Sequence, residues 1–298
     1  MMQEIELKYR DKIRKLNILL FNPPIRSPSK AQLIVIRHAF SQINLKMKEF
    51  LTEKFDEVKE NKNHPERKQL ILSREDIDSP LHEIGILQCM NNQKHINLID
   101  FQIVLVSPLK RALQTCIYLF QTHPNRKQIK FLIFPLAAEK LSNTSSFSPD
   151  TFTNQKEEIS QLASRFDIEF DYSLFNEFEV QEQWQIEMLC NDHFHMKQKL
   201  KESDPNKINY KEFVLQEFDD HFPEYLETWE QLYERAQQAK SQIKAFLRQT
   251  DKKVGLISHF NLIKCLTGDG INDEKQIING ININNCQIIP YPNIKKDN

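Results

Sequence analysis

Four short runs of branched apolar residues constrain this 298-residue chain more than any other feature. They lie at about 32–37, 102–106, 130–134 and 254–258. Each is too short for a helix of ordinary length, and none alternates with polar residues as a half-exposed strand would. The pattern is that of strands buried on both faces. Between them come segments with apolar residues at helical spacing. Leu81–Ile96, with Ile84, Leu87 and Met90 on one stripe, predicts a helix, as do Leu109–Phe120, a segment from Ser41 through Lys54, and the long amphipathic stretch Leu226–Leu247. Ser107 is placed as the N-cap of the second, with Pro108 as its first helical residue. Residues 286–289 predict a last strand, and the charged stretch 56–70 reads as loop or frayed helix. Buried strands alternating with helices predict an α/β fold: a doubly wound, mostly parallel sheet flanked by helices.

Two stretches stand outside this rhythm. Residues 1–30 read as an N-terminal extension, helical to about residue 22, followed by the Pro/Ser linker Asn22–Lys30. The remainder, 31–298, reads as a single domain with a helical insertion at about 140–220, expected over the C-terminal edge of the sheet. Within it Phe166, Phe170, Tyr172, Phe175, Phe178 and Trp184 suit a cleft wall or, by preference, core.

What each apolar run delivers is polar. The first ends in Arg37-His38, the second in Ser107 with Arg111 one helical turn on, the third leads through Pro135 to Glu139, and the fourth ends at His259. In a parallel sheet these ends share one edge, where open α/β sheets bind ligands. Two Arg, two His and one Glu converging there suit phosphoryl transfer. Guanidinium meets phosphate oxygens bidentately, a neutral imidazole can accept a phosphoryl group, and a carboxyl can protonate the leaving oxygen.

Composition excludes other classes. With 40 basic and 41 acidic side chains and a net charge of −1, there is no global pull toward nucleic acid or an anionic membrane. Only five glycines occur, so neither a P-loop nor a dinucleotide loop is present. The five cysteines (Cys89, Cys116, Cys190, Cys265, Cys286) form no C-x-x-C pair, which predicts reduced thiols in the cytoplasm. No apolar run approaches the roughly 20 residues of a membrane span, and the first residues lack a signal-peptide core. The pair His193 and His195 reads as surface histidine, since two positions apart on a helix they point in different directions. No metal site is expected.

The order of motifs resembles the histidine phosphatase superfamily, the phosphoglycerate-mutase-like fold. Arg37-His38-Ala39-Phe40-Ser41-Gln42-Ile43-Asn44 resembles that family's R-H-G-x-S/T-x-x-N, and Leu81–Cys89 its L-T-x-x-G-x-x-Q-A. Ser107-Pro108-Leu109-Lys110-Arg111-Ala112-Leu113-Gln114-Thr115 follows S-P-L-x-R-A-x-Q-T closely, and Ser258-His259-Phe260 resembles S-H-G. The resemblance covers roughly 31–139 and 225–291. It implies His38 as the phosphorylated nucleophile, with Arg37, Arg111, Asn44 and His259 on the phosphate. It further implies Glu139 as the acid and no cofactor. Apart from the resemblance, Glu157 or Glu158 is the alternative acid if the insertion folds over. Glycine is replaced after both histidines, by Ala39 and Phe260. Ala39 is tolerable unless its φ must be positive.

The expected activity is metal-independent hydrolysis of a phosphomonoester, a phosphorylated small molecule or phosphoprotein, through phospho-His38. A mutase is disfavoured because the polar loop after Glu139 supplies little positive charge, and a catalytically weak phosphate- or protein-binding relative is the third reading. Acidic residues in the insertion argue against highly phosphorylated substrates. Neither the substrate nor the oligomeric state is legible in the sequence.

Overall fold

The computed structural model describes residues 2–21, 31–61, 63–189, 196–198, 200, 209–224 and 226–291. The linker 22–30, Cys190, His193 and His195 lie outside the described residues. In chain order the strands are β1 (Leu33–Arg37), β2 (Phe101–Val106), β3 (Lys130–Ile133), β4 (Phe170–Asp171), β5 (Lys253–Ser258), β6 (Gly270–Ile271), β7 (Ile277–Ile278) and β8 (Ile288–Tyr291). The helices are α1 (Met2–Lys15), α2 (Gln42–Glu60), α3 (Pro65–Ile71), α4 (Glu83–Ile96), α5 (Lys110–Phe120), α6 (Asn154–Ser164), α7 (Trp184–Met188), α8 (Tyr210–His221), α9 (Trp229–Arg248) and α10 (Phe260–Thr267).

The main sheet runs β4-β3-β2-β5-β1-β8, parallel throughout except for β8. This is the expected doubly wound α/β sheet. Because side chains alternate along a strand, each strand feeds both faces. Ile34, Ile36, Val104, Val106 and Ile257 pack on one side with residues of α4, α5 and α6. Leu33, Val35, Ile103, Leu105 and Leu256 pack on the other with α9 and α10. Fully burying one such side chain contributes about 1.5–3 kcal/mol, so two-sided burial of four adjacent strands anchors the molecule.

The winding positions the site. After β1 and β2 the chain turns to the face covered by α4 and α5, whereas after β5, which lies between them, it turns to the face covered by α10. Adjacent strands whose connections diverge leave a crevice at their C-terminal ends, the usual ligand position in such sheets. Arg37 is in register with Ser258, and Val106 with Ile257. The residues that follow, His38, His259 and Ser107, therefore emerge side by side.

Some local expectations are corrected. The 56–70 stretch, read as loop or frayed helix, is mostly helix: α2 continues to Glu60 and α3 begins at Pro65. Pro at the first position of α3 favours its start, because the missing N–H would be unpaired there anyway. Ser107 is not the N-cap of α5. Leu109 holds that position, and Ser107 Oγ accepts from the Leu109 N–H at 3.3 Å. The last strand begins two residues later than read, at Ile288, and runs antiparallel. α9 begins at Trp229 behind a Thr228–Gln231 capping box.

Among the described residues the insertion carries α6, α7 and α8 and contributes an unforeseen edge strand, β4, too short to show a period. Its aromatics are core: Phe175 and Trp184 are fully buried, and Phe166, Phe170, Tyr172 and Phe178 pack against the same cluster. Leu141, Phe147, Ile186, Val214, Phe218 and Leu226 form a second, smaller cluster.

One glycine is required by close approach. A Cβ on Gly85 would lie 2.1 Å from the Phe40 carbonyl oxygen, so only glycine lets α4 press against the loop after His38. In an open helix Gly→Ala gains about 0.5–1 kcal/mol. Here the sign reverses, and Gly85→Ala is expected to cost about 1–3 kcal/mol through overpacking. Chemical denaturation measures it, and an unchanged or raised midpoint would contradict the close packing.

Candidate active site

The loop Arg37–Ser41 is fixed from three sides. The His38 N–H donates to the Ser258 carbonyl (2.9 Å), the Ala39 N–H to Thr115 Oγ1 (2.9 Å) and the Phe40 N–H to Gln88 Oε1 (2.9 Å). The Cys286 N–H reaches the Arg37 and His38 carbonyls at 3.1 and 3.2 Å. Gln114 accepts from the Leu81 N–H at 2.8 Å. Gln88, Gln114 and Thr115 of the sequence motifs thus act on the backbone of the loop that carries the imidazole or of its neighbour. Ala39 is fully buried and its φ is not positive, so the added methyl is accommodated without backbone strain.

His38 and His259 face each other with ring centroids 4.9 Å apart, and both are buried. His38 Nδ1 lies 2.8 Å from the Ala39 carbonyl, which can only accept, so Nδ1 carries the proton and Nε2 presents a lone pair. Burial, then Arg111 and Arg37, hold His38 well below its ordinary pKa. Burial, Arg111, His38, Arg37 and Arg235 do the same to His259. Both rings are therefore neutral at neutral pH. His259 Nε2 is 2.7 Å from Ser107 Oγ, whose hydroxyl can donate to it. A neutral ring accepting there carries its proton on Nδ1, which has no partner among the described residues.

The cations are bound at one end and open at the other. Arg37 donates to the Ile283 carbonyl at 2.8 Å and packs under the Phe260 ring, 5.1 Å from its centroid, while its buried Nε is unpartnered. Burial, opposed by Glu139 and reinforced by Arg111, lowers its pKa to about 10. Arg111, buried on α5, donates to the Ser145 carbonyl at 2.6 Å. Burial lowers its pKa too, against the attraction of Glu139 and Asp78. Buried donors are almost always paired. Two unpaired ones, Arg37 Nε and His259 Nδ1, fit a site completed by an anionic ligand.

Glu139 is half-buried. Its Oε1 accepts from the Lys140 N–H at 2.8 Å, and the Asn261 N–H is 3.5 Å from Oε2. The segment before it is held by a pair that sequence reading missed. Arg235 of α9 bonds Glu227 bidentately (2.7 and 2.8 Å) and also donates to the carbonyls of Leu136 (3.0 Å), Ala138 (2.9 Å) and Glu139 (3.3 Å). Glu227 further accepts from the Leu141 N–H at 2.9 Å, and Ser258 Oγ donates to the Ala137 carbonyl at 2.7 Å. The available signal was Glu227 and Arg235 eight residues apart, at the start and on the apolar side of an amphipathic helix.

Of the predicted residues, Arg37, His38, Arg111, Glu139 and His259 meet at one sheet edge. Asn44 is nearby: its Oδ1 accepts from the Ser41 N–H (3.1 Å) and from Asn285 Nδ2 (3.0 Å), and Asn285 also donates to the His38 carbonyl. Glu157 and Glu158 stand on the exposed face of α6, where they accept from Gln161 and Lys110 respectively, and so do not replace Glu139. Among the described residues no group of three or more His, Cys, Asp or Glu is placed to hold a metal ion. No helix among them is long and apolar enough to cross a membrane.

Residues 64–130 match the family model of the histidine phosphatase superfamily (branch 1), which bears out the resemblance read from the motifs. The matched stretch contains Leu81–Cys89 and Ser107–Thr115, and it lies between His38 and Glu139. Solved structures with a similar chain include the ecdysone phosphate phosphatase from Bombix mori in complex with tungstate. It shows 12% identity and a TM-score of 0.42, with 86% of each chain covered. A phosphoglycerate mutase from Bacillus anthracis str. Sterne shows 13% identity and a TM-score of 0.40, covering 91% of this chain and 96% of that one. Mycobacterial hydrolase 1 shows 12% identity and a TM-score of 0.36, with coverage of 79% and 76%. No protein of curated function matches significantly.

The Glu227–Arg235 pair can be tested apart from any activity. Arg235→Met strands a buried carboxylate and frees three carbonyls, and it is expected to destabilise the protein by about 3–5 kcal/mol. The double variant Arg235→Met/Glu227→Leu should recover part of that loss in urea denaturation. Additive losses would show that the pair does not act as a unit.

Proposed function

We propose that the protein hydrolyses phosphomonoesters through a phosphohistidine formed on His38. The observation that carries this reading is the meeting of His38 Nε2, free and held neutral, with two unpaired buried donors from Arg37 and His259. Nε2 attacks phosphorus, and the bond from phosphorus to the ester oxygen breaks. Arg37, Arg111 and His259 stabilise the charge on the equatorial oxygens. Glu139 gives its proton to the departing alkoxide. Water then attacks the phosphohistidine, Glu139 takes its proton, the phosphorus–nitrogen bond breaks, and inorganic phosphate leaves with His38 restored.

In this scheme Asn44 closes the capping box of Ser41 and holds Asn285 against the His38 carbonyl. The loop following Glu139 bends into the fold and places Lys140 under the ring of Trp229, 5.4 Å from its centroid. That placement fits hydrolysis better than return of the phosphoryl group to a second anionic substrate.

The test is turnover of para-nitrophenyl phosphate in the presence of EDTA, with a panel of alkyl phosphates beside it. His38→Ala should lose more than about a thousandfold in kcat, as removal of a covalent nucleophile does, together with acid-labile phosphate labelling. A variant that keeps the wild-type rate sinks the assignment. Glu139→Gln should slow alkyl phosphates far more than para-nitrophenyl phosphate, whose leaving group needs little protonation. Equal slowing of both would remove Glu139 from the acid role.

A further inference from the structure

Asp78 takes no part in the reaction as drawn, yet it occupies an unusual position. It is buried, its φ is +45°, and its carboxyl faces the start of α5, the helix that carries Arg111. Oδ1 accepts from the Lys110 N–H at 2.9 Å, while Oδ2 lies 2.6 Å from Ser148 Oγ. Ser148 is buried in the segment that also brings the Ser145 carbonyl to Arg111.

Proton counting around Ser148 is decisive. Its hydroxyl has one proton and three close neighbours: Asp78 Oδ2, Gln155 Oε1 at 2.7 Å and Thr151 Oγ1 at 2.9 Å. The Gln155 amide cannot be turned over, because its nitrogen donates to the Pro108 carbonyl at 2.8 Å and a carbonyl only accepts. Gln155 Oε1 is thus an acceptor. Thr151 directs its own proton to the Ser148 carbonyl at 3.0 Å and accepts from Trp184 Nε1 at 3.3 Å. An ionised Asp78 would then leave Ser148 with two acceptors and one proton, and one contact shorter than 2.8 Å would join two lone pairs. A proton on Asp78 Oδ2 satisfies both contacts shorter than 2.8 Å: Asp78 donates to Ser148, Ser148 to Gln155, and Gln155 to Pro108, while the Thr151 hydroxyl shares its own proton between the two Ser148 oxygens.

We propose that Asp78 is a positioning residue that carries a proton in this buried chain, and that its ionisation sets how strongly Arg111 holds an anion. The proposal rests on Arg111 belonging to the anion site described above. The charged groups that bear on Asp78 are Arg111 and Lys110, both from α5, and its other partners are neutral. Burial, opposed by the bonds from Ser148 and Lys110 and by the two cations, raises its pKa to about 6. The sign follows. Neutral Asp78 leaves the whole charge of Arg111 to the ligand, and ionised Asp78 competes for it. An anion at Arg111 therefore draws a proton onto Asp78, and affinity falls as pH rises through about 6.

The test uses inorganic sulfate, whose charge is constant between pH 5 and 8, with binding followed by calorimetry. Wild-type affinity should fall at least about fivefold from pH 5 to pH 7, the lower end of ordinary site–site coupling. Asp78→Asn, whose amide mimics the protonated acid, should keep the low-pH affinity and lose the pH dependence. Titration of the wild type near pH 6 in buffers of different ionisation heat should show uptake of about half a proton per sulfate, a measurement that needs no variant. A flat wild-type profile, an Asp78→Asn profile that keeps the slope, zero proton uptake, or no saturable binding would each overturn the proposal. Because sulfate binding involves no turnover, failure here is distinguishable from failure of the phosphatase reading.

Discussion

Two guanidinium groups buried at one sheet edge are the constraint to which the rest of the site answers. Arg37 and Arg111 are removed from most of the solvent and repel each other, which costs free energy in the empty protein. Part of the cost is offset by fixed acceptors, the carbonyls of Ile283 and Ser145, and part by the half-buried carboxyl of Glu139. The remainder falls on the histidines. Burial first, and the two cations after it, disfavour a positive charge on either His38 or His259, so both stay neutral. Burial and the neighbouring cations keep the ring neutral, and the Ala39 carbonyl, by holding the proton on Nδ1, leaves the lone pair on His38 Nε2. A bound phosphate dianion would supply the missing counter-charge.

A site of this kind works only if the carboxyl that balances it cannot drift. Glu139 follows an irregular segment, which alone would hold it loosely. The Glu227–Arg235 pair corrects this from α9, on the opposite face of the sheet from α5. One guanidinium bonds one carboxylate and three carbonyls of that segment, those of Leu136, Ala138 and Glu139, and the carboxylate turns back to the Leu141 N–H. A buried pair adds little net stability over apolar packing. Its contribution here is geometric: it specifies one path for the chain between β3 and the loop over the site. Asp78 does the corresponding work from the α5 side, joining that same loop to the first turn of the Arg111 helix.

The difference between what was legible in the sequence and what was not follows from range. Strands β1, β2, β3 and β5 announce themselves because burial on both faces demands an unbroken apolar run, and each run ends next to its polar residue. Arg37, His38, Arg111, Glu139 and His259 could be gathered from that alone. Arg235 and Asp78 could not. Arg235 sits on a helix whose spacing reads simply as amphipathic, and the carbonyls it holds lie 96 to 99 residues away. Asp78 acts through a serine seventy residues on, across an insertion with little periodicity. The 56–71 segment misleads for another reason: its helices are charged on most faces, so they lack the stripe that reveals a packed helix. Lys68 to Asp219 and Glu66 to Lys54 are among the ion pairs that tie this region to its surroundings.

The two departures from the family pattern turn out to be physically unequal. Ala39 needs no special backbone, and its N–H finds Thr115, so the methyl changes little beyond filling space that is already dry. Phe260 changes the environment of a charge. Its ring lies over Arg37, whose planar group stacks readily on an aromatic face, an interaction worth about 0.5–2 kcal/mol depending on desolvation. A ring on one side of the guanidinium shields it from water there while leaving the edge with the unpartnered Nε available. Glycine at this position would offer no such cover, and Arg37 would be better hydrated and a weaker partner for an anion. Phe260 therefore extends the logic of the site: it dries a cation that the fold has already crowded against another, and leaves the ligand as its best remaining partner.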